Sequence, residues 1–170
     1  MNSDKLEFLS AELGELLFER KLFFTSAESC TGGWVGQSVT GVPGSSRWFG
    51  AGFITYSNIA KMNILGVQKE TLNNFGAVSE EVVKEMVKGA LNKSGAQIGV
   101  AISGIAGPSG GSEERPIGTV CIAWLLEGKE IVSSTEHFSG NRNEVRCATV
   151  DCALYNSIRL IKENLIKNKI

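Results

Sequence analysis

Leu22-Phe23-Phe24-Thr25-Ser26-Ala27-Glu28-Ser29-Cys30-Thr31-Gly32-Gly33 passes from an apolar and small-residue run into a polar turn and a glycine pair. Leu22 to Ala27 reads as a short buried strand, and Trp34, Val35 and Val39 give the buried side of a short helix beyond the glycines. A strand, a tight turn and a helix N-terminus in that order open an α/β sheet. Upstream, Leu6, Leu9, Leu13, Leu16 and Leu17 follow helical spacing from Asp4, a candidate cap, to Arg20. Downstream, a glycine-rich stretch from Gly41 to Gly52 leads to a second strand at Phe53-Ile54-Thr55-Tyr56 and a short helical segment from about Ala60 to Leu65. Ser79-Glu80-Glu81 starts a helix whose buried stripe is Val82, Val83, Met86, Val87, Ala90 and Leu91, ending near Gly95. Ile98 to Ser103 is a third strand. Ile117 to Leu126 and Glu130 to Phe138 form an antiparallel hairpin around Glu127-Gly128-Lys129. A last helix from about Asn143 to Asn168 turns Val145, Ala148, Cys152, Leu154, Tyr155, Ile158 and Ile161 inward. The expected architecture is a single-domain, three-layer α/β/α sandwich with a mixed sheet over residues 1–170.

Composition narrows the function classes. The chain has 170 residues, with 17 basic and 18 acidic side chains and a net charge of −1, so neither a disordered chain nor a nucleic-acid-coating surface fits. No apolar run reaches the ~20 residues that span a bilayer, and the acidic residues among the first leucines do not suit a secretory signal. A cytoplasmic protein is expected. Cys30, Cys121, Cys147 and Cys152 form no C-x-x-C pair, and His137 is the only histidine, so the cysteines read as reduced core thiols and no metal site is expected. Glycine is in excess, 20 residues against the ~7% of average usage. It is concentrated between Gly32 and Gly52 and between Gly104 and Gly118.

Ser29 and Ser103 fall at strand ends, where α/β sheets bind ligands. Thr31-Gly32-Gly33 would put backbone amides at a helix N-terminus, suited to an anion or a developing oxyanion. As plain helix caps, Ser29 and Thr31 would have the same spacing. A serine nucleophile needs a base, and His137 lies far along the chain in an expected strand. A desolvated lysine can serve, and Lys61 is the candidate, although spacing alone reads Lys61 as solvated and Tyr56 as a packed aromatic. Ser103 to Gly111 matches neither a Walker loop nor a dinucleotide fingerprint, so it reads as a phosphate- or ribose-cradling loop or as a surface loop. Arg142 and Arg146, about one turn apart, could grip an anion or form ordinary salt bridges. Trp34 and Trp48 could cover a ligand, meet a second subunit or fill the core.

Taken in order, Ala27 to Gly33, Gly44-Ser45-Ser46, Gly52 to Asn58 with Lys61, Leu65-Gly66-Val67, Phe75 to Ser79, Ser103 to Pro108 with Gly110-Gly111, Pro116 to Val120, and Arg142 with Arg146 resemble the family of the C-terminal domain of the competence/damage-inducible protein CinA. Within it they resemble the stand-alone nicotinamide-nucleotide amidohydrolases (PncC). The resemblance implies hydrolysis of the carboxamide of nicotinamide mononucleotide to nicotinate mononucleotide and ammonia, with no cofactor. It implies Ser29 as nucleophile, Lys61 as general base and Tyr56 as a supporting hydrogen-bond donor. Thr31, Gly32, Gly33, Gly44, Ser46, Ser103 and Gly104 would line the pocket, and Arg142 would hold the phosphate. Ser26 and Ser103 stand where many relatives have threonine, and both keep the hydroxyl. The implied partners are a small nucleotide and further copies of the chain, with neither nucleic acid nor membrane. Two other readings share the fold: a nucleotide-binding module without catalysis, and a serine-lysine hydrolase of another small amide.

Overall fold

Phe24–Glu28 forms strand β1, and every residue in it is buried. In the computed structural model, which describes residues 3–167 and the side chains of 4–164, β1 lies inside a five-stranded sheet of order β2-β1-β3-β4-β5. The other strands are β2 (Phe49–Ile54), β3 (Ile98–Gly104), β4 (Thr119–Leu126) and β5 (Val132–His137). β2 and β3 flank β1 in parallel, with Glu28 level with both Ile54 and Ile102. β4 and β5 run antiparallel. The sheet is therefore mixed, as the helix-strand alternation followed by a hairpin requires.

Helices α1 (Ser3–Arg20), α2 (Trp34–Thr40) and α6 (Arg142–Lys167) cover one face. Helices α3 (Asn58–Leu65), α4 (Lys69–Phe75) and α5 (Glu80–Ser94) cover the other. Strand alternation sorts side chains by size between the faces. Phe24, Ile98, Val100, Ile102, Val120, Ile122 and Trp124 join Leu13, Leu17, Val35 and Leu154 under α1, α2 and α6. Ala27, Ala101, Cys121 and Ala123 face α5, which can then lie close to the sheet. At Gly99 the approach is so tight that a Cβ would come within 2.6 Å of Leu91 Cδ1. α1 and α6 run in the same direction, as shown by the ion pairs Lys5–Asp151 and Glu12–Lys162.

Several local expectations shift. The second strand begins at Phe49 rather than Phe53, so Gly50 and Gly52 belong to the sheet edge. Glycine's low strand propensity hides that strand in the sequence. α4 is a short helix that the sequence reading did not contain. Asp4 lies in the first turn of α1 rather than ahead of it. Tyr155, expected inside, is 55% exposed, while Val145, Leu154, Ile158 and Ile161 are buried. α6 is described only to Lys167, so the expected end at Asn168 falls outside the described residues. Trp48 is core, its indole packed into the space left by Gly14 of α1. No helix among the described residues is long and apolar enough to cross a membrane.

Candidate active site

The carboxyl ends of β1, β2 and β3 meet at a cleft of about 270 Å³, lined by Ser29, Tyr56, Lys61, Ser103, Gly104 and Arg142 among others. β1 delivers Ser29 immediately after its last residue, and the Ser29 amide donates to the Ile102 carbonyl at 3.1 Å. The chain leaves β2 through Thr55, turns at Tyr56 and starts α3 with Ser57 as cap, whose hydroxyl accepts from the Ala60 amide. Lys61 then points back under the turn. Its Nζ donates to Ser29 Oγ at 3.1 Å and to the Thr55 carbonyl at 2.9 Å.

Lys61 is 1% exposed, so the expectation of a solvated lysine from spacing is overturned. Burial disfavours its ammonium and lowers its pKa from the usual lysine value, and Cys30 nearby opposes this to a lesser degree. No carboxylate is among its hydrogen-bond partners, which are a hydroxyl and a carbonyl. That is the setting in which an amine can act as a base. Cys30, next to the serine, has its thiol pushed up to about 11 by burial, which leaves it protonated near neutral pH. The expectation of an unreactive Cys30 fits that environment.

Tyr56 is 62% exposed at the rim rather than packed. Its hydroxyl accepts from Arg142 Nη2 at 3.0 Å, while Arg142 Nη1 donates to the Gly107 carbonyl at 2.7 Å. Arg142 thereby joins the start of α6 to the turn after β2 and to the loop after β3, and neither bond neutralises its charge. Arg146, the other arginine of the pair, supports the nucleophile's turn: Nε donates to the Cys30 carbonyl at 3.0 Å and Nη2 to the Thr31 carbonyl at 2.7 Å. Its guanidinium lies over Trp34, which borders a separate groove between α1, α2 and α6. Ser103 lines the cleft, but its hydroxyl is committed to the Ala77 carbonyl at 2.7 Å. Gly104 lines it too and lets β3 approach β4, since a Cβ there would meet Val120 Cγ2 at 2.7 Å.

Two expectations fail in this geometry. Gly44 and Ser46 lie on the exposed turn before β2 and do not line the cleft, and Thr31, Gly32 and Gly33, turned into the start of α2, do not line it either. The amides after Ser29 are also not all free. Gly32 donates to the Ser29 carbonyl, and the N-terminus of α2 is filled from within by Glu28. That carboxylate, 1% exposed, accepts from the amides of Gly33, Val35 and Gly36 at 3.0, 3.1 and 3.0 Å and from Ser26 Oγ at 3.2 Å. Sequence reasoning passed over Glu28. The signal was there: α2 starts after Gly33, which has no side chain to cap with, so an acceptor must come from elsewhere. Among the described residues, no group of three His, Cys, Asp or Glu side chains could hold a metal ion.

Comparison with known proteins places the chain in a family. Residues 6–161 match the family model described as the CinA C-terminal domain. The nicotinamide-nucleotide amidohydrolase PncC of Escherichia coli K12 is 51% identical over 146 residues, spanning 86% of this chain and 88% of that one. The protein of that name from Enterobacter agglomerans is 43% identical over 164 residues, spanning 96% and 100%. Among solved structures, the competence/damage inducible protein CihA from Agrobacterium tumefaciens superposes with a TM-score of 0.90 at 40% identity, covering 92% of this chain and 95% of its own.

Proposed function

The chain belongs to the CinA C-terminal domain family, and from that premise we propose that it is a nicotinamide-nucleotide amidohydrolase, converting nicotinamide mononucleotide and water to nicotinate mononucleotide and ammonia. The names of its stand-alone relatives support the substrate class. The observation that carries the chemistry is the buried Lys61 amine 3.1 Å from Ser29 Oγ.

Neutral Lys61 takes the proton of Ser29 as Oγ attacks the carboxamide carbon. The carbonyl oxygen becomes an oxyanion, and because Gly32 and Gly33 are committed and Thr31 is fully buried, the amide of Cys30, which lines the cleft, is the turn donor left to stabilise it. The Lys61 ammonium returns its proton to the leaving nitrogen, ammonia departs and an ester on Ser29 remains. Water then attacks that ester with Lys61 again as base, freeing the carboxylic acid and the serine. Arg142, held by Tyr56 and Gly107, presents a positive charge at the rim for the phosphate. Four free cysteines and a nucleotide substrate suit the cytoplasm.

An ammonia-release assay on the mononucleotide, its riboside and free nicotinamide tests the reading. Activity on the mononucleotide is expected to exceed that on the other two, and Ser29→Ala should lower kcat at least ~10⁴-fold. Undiminished ammonia release by Ser29→Ala would overturn the mechanism. A thermal shift with the mononucleotide but no ammonia would make the protein a binding module.

A further inference from the structure

The mechanism above leaves one part of the substrate unread: the reacting carboxamide itself, with one carbonyl acceptor and an NH2 donor on the same edge. Most polar side chains around the cleft already have partners. Ser29 is bonded to Lys61, Ser103 to Ala77, and Tyr56 to Arg142. Two that line the cleft, Asn58 and Ser109, make no hydrogen bond to the described residues. Ser109 is on the exposed loop after β3. Asn58 is the first residue of α3, on an element fixed by the Ser57 cap and by the two bonds of Lys61.

Residues three apart on a helix share a face, so Asn58 stands above Lys61 on the wall of the cleft. Lys61 is buried at the base of that wall and Asn58 is exposed at its mouth. A side-chain amide offers one acceptor and two donors, the complement of a primary carboxamide edge. A carboxylate offers acceptors alone, so it can satisfy the Asn58 donor but leaves Oδ1 facing a negative oxygen.

We infer that Asn58 is a specificity-determining residue that reads the reacting carboxamide, Oδ1 accepting from its NH2 and Nδ2 donating to its carbonyl oxygen. The inference rests on the amidohydrolase reading and extends it: the contact favours the amide substrate over the acid product and helps the product leave.

The test measures KM and kcat for nicotinamide mononucleotide and the inhibition constant of nicotinate mononucleotide, in the wild type, Asn58→Ala and Asn58→Asp. The residue is exposed, and an acidic side chain is favourable at a helix N-terminus, so both proteins should fold. Asn58→Ala should lower kcat/KM tenfold or more and reduce the ratio of product inhibition constant to KM, because both hydrogen bonds to the amide are lost. Asn58→Asp should raise that ratio, because it still accepts from the NH2 and repels the carboxylate. Opposite movement of one ratio in the two variants is not what a merely structural residue produces. A ratio within twofold of wild type in both variants, or displaced the same way in both, overturns the inference while leaving the amidohydrolase reading intact. A wild-type protein that releases no ammonia overturns that reading, and the inference with it.

Discussion

In the proposed mechanism Lys61 ties activity to stability, because the neutral amine serves both. Its amine must be neutral to take the Ser29 proton, and burial lowers its pKa toward that state. Activity should therefore rise with pH on the acid side and level off once pH passes the lowered pKa, read as kcat against pH. Lys61→Arg should remove that limb along with turnover, since a guanidinium stays charged. Linkage sets the sign for stability. Between the lowered folded pKa and the ordinary lysine value of 10.5, the unfolded chain holds a proton that the folded chain does not. Stability should rise with pH through that window and be flat below it, and Lys61→Met should abolish the rise in melting temperature. Read by spacing, the sequence made Lys61 a surface lysine, because nothing in a one-dimensional pattern shows that the turn after β2 folds the side chain back under Ser29. The family pattern implied it as the base for Ser29, and its amine lies 3.1 Å from Ser29 Oγ. That pattern also singled out Thr31, Gly32, Gly33, Gly44 and Ser46, none of which lines the cleft.

α3 holds Lys61 and Asn58, and its position depends on how closely α5 approaches. Gly89 on α5 faces the end of α3, and a Cβ there would stand 2.0 Å from the Leu65 carbonyl oxygen. Alanine in place of glycine inside a helix normally stabilises it by up to ~1 kcal/mol. Here the clash is with backbone, so Gly89→Ala should reverse that sign and destabilise the protein by about 1–3 kcal/mol, seen in urea unfolding. By moving α3 it should also lower kcat. Helices with strong apolar periodicity, such as α1 and α5, were legible at nearly their true bounds, as was the β4–β5 hairpin. β2 was not, because Gly50 and Gly52 carry no side-chain pattern and its register comes from pairing with β1. α4 escaped because seven residues with one buried apolar side chain, Leu72, are too short to show a period.

At the scale of the whole molecule, the central parallel strands end at the cleft and should be the last to open. The amides of β1 and β3, flanked by strands on both sides and buried along nearly their full length, should show the slowest hydrogen exchange. The exposed residues 109–114 should exchange fastest; slow exchange there with fast exchange in β1 would contradict this layering. The three-layer sandwich was readable from element order and hairpin alone. Of the two glycine clusters only the later one lines the cleft, through Gly104, Gly107 and Gly110, and no glycine between Gly32 and Gly52 does. Reversal of direction at β4 has a practical consequence. Register pairs Gly104 with Val120 beside the cleft and Ile98 with Leu126 at the other end of the sheet, so the turn at residues 127–129 lies a strand's length, roughly 20 Å, from Ser29. A thiol introduced there as Lys129→Cys would let the protein be tethered to a bead or electrode by its far end, with the cleft presented to the bulk solution and free to turn over.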